Sequence, residues 1–147
     1  MLALAFRAGD ADLALAARDI VEVLPRVPLR APVLAPPAVI GLLSFRGTLT
    51  PVVDLCLLVA GRAAARQLGS RIIVASIGQG ASARWVGLLA EDVCELVDST
   101  QLAQGLNLPE HRWLGAHLSD QPGMPQLVEP AELLPEALLA LFTREPA

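Results

Sequence analysis

Residues 40–55 constrain the fold of this chain more than any other segment, because they read IGLLSFRGTLTPVVDL, two apolar runs separated by Arg46 and Gly47. Glycine adopts positive φ angles at little steric cost, so a glycine-containing dipeptide between strand-like runs favours a tight β-hairpin. The pattern predicts strands over residues 39–45 and 48–55. We therefore expect the hairpin to hold the cationic side chain of Arg46 out on its turn.

Short apolar runs punctuated by glycine and proline continue through most of the chain, which favours further short strands. Residues 20–24 fit either a strand or the end of a short helix that starts after Ala16. Turns are predicted at Gly9-Asp10 and at residues 78–80, where glycines separate two apolar runs. The remaining predicted strands cover residues 2–7, 13–16, 71–77, 85–90, 93–97, 113–118 and 126–128.

Two connecting segments interrupt this strand pattern. Residues 25–37 contain five prolines, which donate no ladder hydrogen bonds, so we expect an ordered linker or a sheet edge. Residues 60–68 are rich in alanine and arginine and precede Gly69. That composition predicts a short surface helix or loop between the two halves of the chain.

The C-terminal region changes character from strand to helix. Prolines at 130 and 135 suit the first turn of a helix, where a missing N–H is harmless. Leu134, Leu138 and Leu141 follow at helical spacing, which predicts a terminal amphipathic helix packed by one face. Composition and spacing alone therefore indicate an all-β domain with a C-terminal helix.

Composition and charge exclude several classes of function. Hydrophobic residues make up 54% of the 147 residues, enough for the core of one domain or two small barrels. The net charge of −4 disfavours nucleic-acid binding, which requires a basic stripe. No apolar run reaches the ~18 residues of a membrane span. The N-terminal residues lack a secretory pattern, so we expect a cytoplasmic protein.

Residues that could carry catalysis or bind metal are few. Cys56 and Cys94 lie in apolar runs, so we predict reduced, buried thiols, with the pKa of Cys56 raised by desolvation. His111 and His117 would share one face of a strand, but they lie near too few further ligands for a metal site. Residues 78–80 lack the lysine of a phosphate-binding loop. The sequence thus predicts no catalytic residue, no metal and no cofactor.

A family signature is present in residues 41–55. They read GLLSFRGTLTPVVDL, which is similar to the G-x-x-N-L-R-G-x-x-x-P-V-x-D-L motif of the CheW-like chemotaxis coupling proteins. Other segments also resemble this family, so the resemblance covers nearly the whole chain. Residues 4–15 look like the opening hairpin of the family, and residues 20–23 resemble its V-x-E-V element. Residues 71–74 with 86–93 look like its central strand pair, and residues 125–134 resemble its closing strand and helix.

The resemblance implies a more specific fold than the composition does. It implies an all-β fold of two five-stranded SH3-like β-barrel subdomains side by side, with a short C-terminal helix. The chain would be a single CheW-like domain over residues 1–147. Its subdomains would cover approximately residues 1–68 and 69–147, with termini that cross over.

The resemblance also implies a function and a set of contact residues. The chain would be a non-enzymatic adaptor between the cytoplasmic tips of methyl-accepting chemoreceptors and the regulatory domain of a CheA-type histidine kinase. It would be recruited to membrane-associated receptor arrays without inserting into the membrane. For Ile20 and Leu96, burial in the core is an equally open interpretation. The partner-binding positions implied by the family are Ile20, Glu22, Gly41, Arg46, Gly47 and Leu96.

Three departures from the family motif bear on the choice of partner. Ser44 replaces its asparagine, Phe45 replaces its leucine, and Cys56 stands where an arginine often follows the Asp-Leu pair. A changed rim alters specificity without altering the fold. Other functions remain open at this stage: an adaptor of a non-motility, surface-sensing pathway, a regulatory domain separated from its kinase, or a β-barrel that binds an apolar metabolite. An enzyme that uses Cys56 or Cys94 is the least favoured.

Overall fold

The computed structural model describes residues 1–32, 36–78, 83–98, 102, 109–119 and 123–134, apart from the side chain of Cys94. Within these residues the chain forms nine strands and one short helix, which confirms the predicted all-β class. The strands are β1 (Leu2–Ala8), β2 (Ala11–Ala16), β3 (Ile20–Pro25), β4 (Val39–Phe45), β5 (Thr48–Asp54), β6 (Arg71–Ile77), β7 (Arg84–Asp98), β8 (Leu114–His117) and β9 (Gln126–Val128). The helix is α1 (Leu55–Ala60), and 3-10 turns cover Ala17–Asp19, Pro109–His111 and Pro130–Glu132.

The strands pair in two groups of five that share β7. The first strand group has the order β3-β6-β7-β5-β4, and the second has the order β7-β1-β2-β9-β8. Arg30, which follows β3, bridges to Leu42 in β4 and so brings the two edges of the first group together. The division of the chain near residue 68 stays a prediction.

β7 is one strand of 15 residues, although the sequence predicts two strands, over 85–90 and 93–97. Its first half pairs with β6 and its second half pairs with β1. The change of partner occurs at Glu91 and Asp92, where Asp92 has a φ of 48°. Aspartate tolerates this left-handed conformation better than most residues. The strand therefore bends at Asp92 and continues.

The core is aliphatic and continuous across most of the molecule. Buried residues alternate along β4, whereas the last five residues of β5 are all buried because both faces of this strand are covered. Phe45 and Trp85 form an edge-to-face pair with ring centroids 5.1 Å apart. The largest fully buried side chains are Leu13, Leu15, Leu55, Ile72, Ile73, Leu88, Leu89, Leu118, Val52, Val53 and Val74.

The helix lies earlier than the sequence suggests. It occupies residues 55–60, where the sequence predicts the end of a strand and then an apolar run, whereas residues 63–66 form a loop, which is one of the two predicted alternatives for residues 60–68. The Asp54 carboxylate accepts a hydrogen bond from the N–H of Cys56 at 2.9 Å, and Gly61 ends the helix at a φ of 69°. Aspartate before a helix and glycine after it are strong boundary signals. Here they outweigh the apolar, strand-like composition.

Three further expectations can be placed. Residues 20–24 belong to β3, and of the proline-rich segment the described residues 26–32, 36 and 37 lie outside the strands apart from the Arg30 bridge. Pro130 occupies the first position of a 3-10 turn. The predicted amphipathic helix lies beyond Leu134, outside the described residues, and so do Gln79 and Gly80 of the predicted turn.

The buried Asp54 carboxylate yields a prediction for stability. It also accepts the N–H of Ala64 at 2.8 Å, so Asp54→Ala leaves two buried donors without a partner. We expect the free energy of unfolding to fall by about 2 kcal/mol or more, measured by urea titration. Asp98→Ala is the control, because that side chain is exposed and should cost no more than about 0.5 kcal/mol. Equal losses for the two variants would contradict this role for Asp54.

Candidate partner-binding site

The β4–β5 hairpin has a two-residue loop made of Arg46 and Gly47. Phe45 pairs with Thr48, and the two loop residues have φ angles of 50° and 76°. Positive φ at both loop positions is the geometry of a type I′ turn, which matches the twist of the flanking strands. The space around Gly47 is open, so backbone conformation is what favours glycine there.

The side chain of Arg46 folds back over the hairpin, which corrects the expectation that it is held out on the turn. Its Nη2 atom lies 3.5 Å from Oε1 of Glu22. Its Cζ atom lies 4.8 Å from the ring centroid of Phe45 and 6.0 Å from that of Trp85. A guanidinium over aromatic rings gains from their quadrupoles as well as from the carboxylate. The aromatic pair thus forms a platform beneath the cation.

Glu22 reaches this platform from a different part of the sheet. It lies on β3, where the register against β6 shifts between Ile20 and Glu22. Such a bulge re-aims the side chains of an edge strand. The side chains of Arg46 and Glu22 are 55% and 44% exposed, so the ion pair faces solvent. Together with Phe45 and Trp85 these two residues form what we name the hairpin site.

The other predicted contact residues lie elsewhere. Ile20 is half-buried and packs against the main core, whereas Leu96 is 59% exposed on the second half of β7. Gly41 is buried, and a Cβ atom there would lie 2.5 Å from the Cβ of Leu29. This close approach gives Gly41 a packing role. The structure brings only Glu22 and Arg46 into direct contact, and all six positions stay predictions as binding residues.

Glu91 is a buried charged residue that the sequence analysis misses. It lies on β7 and is only 4% exposed. Its carboxylate accepts hydrogen bonds from the N–H of Ala65 at 2.9 Å and of Gly9 at 3.3 Å. Nη2 of Arg62 lies at 3.2 Å and Sγ of Cys56 at 3.3 Å. The position of Glu91 within an apolar segment was the signal in the sequence that could have indicated a buried carboxylate. We name this cluster the Glu91 joint.

The joint shifts two pKa values in opposite directions. Burial of Glu91 would raise its pKa, but the hydrogen bonds from Ala65, Arg62, Cys56 and Gly9 outweigh burial and lower the pKa to about 2. Burial of Cys56, with the hydrogen bond to Glu91, raises the pKa of the thiol to about 11. The predicted rise is therefore confirmed. Although Glu91 is a nearby base, its negative charge opposes a thiolate.

The sequence predicts that the two histidines share one face of a strand, but the structure places only one of them on a strand. His111 ends a 3-10 turn and His117 ends β8, and both line a cavity of about 380 Å³ with Trp113. Within the part of the chain that the structure describes, no group of three or more His, Cys, Asp or Glu residues could hold a metal ion. In that part, no helix is long and apolar enough to cross a membrane.

Comparison with known proteins gives the family. A model of the CheW-like domain matches residues 2–134 of this chain. The chain belongs to the CheW-like domain family. A solved structure, the scaffolding protein TtCheW from Thermoanaerobacter tengcongensis, is similar with a TM-score of 0.71 and 20% sequence identity, over 86% of this chain and 82% of that chain. A search of curated proteins found no match.

Membership in the CheW-like family gives the type of function. CheW-like proteins are non-enzymatic scaffold adaptors of chemotaxis, so this chain is a scaffold and not an enzyme. The structural likeness to TtCheW independently supports the all-β CheW fold. The Arg46-Gly47 dipeptide, which carries the family motif, is the turn of the hairpin site.

The Glu91 joint generates a prediction on acid stability. Because the folded pKa of about 2 lies below the ordinary 4.5, the carboxylate stabilises the fold fully above pH 4.5 and progressively less as pH falls toward 2. Glu91→Gln should therefore lower the free energy of unfolding near pH 7 and flatten its decline between those pH values. Urea titrations across pH measure this. Glu95→Gln, an exposed change on the same strand, should retain the parental acid slope, and a parental slope in Glu91→Gln would contradict the prediction.

Gly47 generates a prediction on the hairpin. A β-branched residue is strained at a φ of 76°, so Gly47→Val should cost about 1–2 kcal/mol of stability. It should also displace Arg46 and weaken partner binding. Gly47→Asn is the matched control, since asparagine tolerates this conformation. Thermal unfolding measures the difference, and equal melting temperatures for the two variants would show that the turn is not strained.

Proposed function

We propose that this chain couples the cytoplasmic tips of methyl-accepting chemoreceptors to the regulatory domain of a CheA-type histidine kinase. It acts by position, in the cytoplasm, as part of receptor arrays at the membrane. The observation that carries this proposal is the hairpin site, in which two positions implied by the family resemblance, Glu22 of the V-x-E-V element and Arg46 of the motif, meet on one exposed face.

The ion pair between Arg46 and Glu22 is weak enough for a group of the partner to replace Glu22. A half-exposed pair at 3.5 Å contributes about 0–1 kcal/mol to stability, because water screens both charges. A partner group that replaces Glu22 at the guanidinium therefore costs the fold little. The planar fork of arginine can then bind a carboxylate or backbone carbonyls of the partner with two hydrogen bonds. The aromatic platform keeps the guanidinium in place during this exchange.

A bridging adaptor also needs a second surface. Leu96, 59% exposed, lies on β7 next to Leu4 of β1, and Leu2 near the same strand end is 47% exposed. Leu96 and Leu2 are exposed residues of the second strand group, whereas the hairpin site belongs to the first. Trp85 and Leu96 are eleven residues apart on the same bent strand, which separates the two surfaces by at most roughly 36 Å. Such an arrangement lets one chain contact two partners.

Charge reversal at the hairpin site tests the proposal. Arg46→Glu places two carboxylates side by side and removes the fork, so binding to receptor or kinase should weaken by about 2 kcal/mol or more. Stability should fall by no more than about 1 kcal/mol, because the lost pair is exposed. Titration with the purified cognate partners measures binding, and calorimetry measures stability.

The exchanged pair Arg46→Glu with Glu22→Arg is the control. It restores the ion pair within the chain, so stability should return, but the partner then meets a carboxylate in place of the guanidinium and binding should stay weak. Arg18→Glu, at an exposed arginine outside the site, should bind as the parent does. Undiminished binding and kinase control by Arg46→Glu would overturn the proposal for this site.

A further inference from the structure

A cavity of about 440 Å³ lies on the first strand group, where Ile40 and Asp54 line it at the end of the β4–β5 hairpin opposite to the turn. The segment after β3, the strands β4, β6 and β7, and the loop after α1 all contribute to its lining. This volume falls in the range of small-molecule sites in proteins. Apart from Asp54, the aspartate of the family motif, no lining residue belongs to that motif or to the hairpin site.

Part of the lining is apolar and part is polar. Ile72 of β6 and Leu89 of β7 are fully buried and present almost no surface, so the apolar surface of the cavity comes from Val27, Leu29 and Ile40, which are half-buried residues packed against the core. These side chains offer a ligand only dispersion contacts and the removal of apolar surface from water. The interior of the cavity is therefore suited to an aliphatic chain.

The polar groups of the cavity carry a net positive charge. Arg26 donates through Nη1 to the carbonyls of Ala64 and Ala65, at 3.0 and 3.4 Å, and Arg66 is an exposed lining residue. In the described part of the chain neither arginine has an acidic partner within salt-bridge distance. Asp54 also lines the cavity, and its carboxylate already accepts two backbone N–H groups. Two cations against one anion leave a single positive charge.

We propose that this cavity binds a monocarboxylate with a medium-length aliphatic chain. The carboxylate lies between Arg26 and Arg66, where a guanidinium fork offers two parallel hydrogen bonds. The aliphatic chain lies against Val27, Leu29 and Ile40. One negative charge balances the lining, whereas a dianion would exceed it. This site would add a small-molecule input to the adaptor, and it shares no residue with the hairpin site.

Calorimetric titration of the purified chain with sodium octanoate tests the proposal. We expect saturable binding of one octanoate per chain, weakened by added salt because the contact is between charges. Octan-1-ol and octylammonium, which share the chain and differ in the head group, should bind at least about tenfold more weakly, the loss expected without charge-assisted hydrogen bonds. Octyl phosphate should not bind more tightly than octanoate.

Variants locate the site. Arg66→Gln should lower octanoate affinity at least about tenfold. Among the described residues Arg66 makes no hydrogen bond or ion pair, so this variant should fold as the parent does. Arg26→Gln should do the same, although it also removes the bonds to Ala64 and Ala65, so its folding is checked by circular dichroism. Val27→Phe should fill the cavity and abolish binding. Arg18→Gln, at an exposed arginine outside the cavity, should bind octanoate as the parent does.

The outcomes separate the possibilities without any chemoreceptor or kinase present. Equal binding of octan-1-ol, or parental affinity in Arg66→Gln, would overturn the role of the arginines. Tighter binding of octyl phosphate would overturn the choice of a monoanion. No saturable binding of octanoate would overturn the site itself. Each of these results leaves the adaptor function as it stands.

Discussion

The carboxylate of Glu91 holds together the place where β7 passes from one strand group to the other. It accepts hydrogen bonds from the β1–β2 turn at Gly9, from α1 at Cys56, and from the loop after α1 at Arg62 and Ala65. A buried charge is costly unless its hydrogen bonds are all made, so these three segments and β7 are held in one arrangement. The close approach of Gly9 to Ala60, where a Cβ would lie 2.9 Å away, belongs to the same joint.

β7 gives the joint its importance for the adaptor. Near its start Trp85 lies beneath the guanidinium of Arg46, and near its end Leu96 is exposed on the second strand group. A continuous strand with hydrogen-bonded neighbours on both sides is stiff, so the two surfaces keep a constant separation. The coupling proposed above would require such stiffness, and β7 is one strand shared by the two strand groups.

The hairpin site shows which features local sequence predicts and which it does not. The turn at Arg46-Gly47 follows from the glycine and the two apolar runs, and β4 and β5 lie where those runs predict. The direction of the Arg46 side chain does not follow from them, because Glu22 and Trp85 come from distant parts of the chain. The helix at 55–60 was open to prediction from Asp54 and Gly61, and the apolar run between them obscured it. Predicting two strands over 85–97 failed because a left-handed Asp92 bends a strand without ending it.

Local signals in the sequence determined the all-β class, the hairpin, most strand positions, the apolar environment of Cys56 and the resemblance to the CheW-like family, because each depends on neighbouring residues and on backbone preference. Tertiary structure alone decided which strands share a sheet, that Leu96 is exposed while Ile20 packs on the core, and that Glu91 is buried and ionised. These properties depend on groups far apart in the chain, such as Gly9 and Glu91, whose interaction exists only after β1, α1 and β7 have packed together.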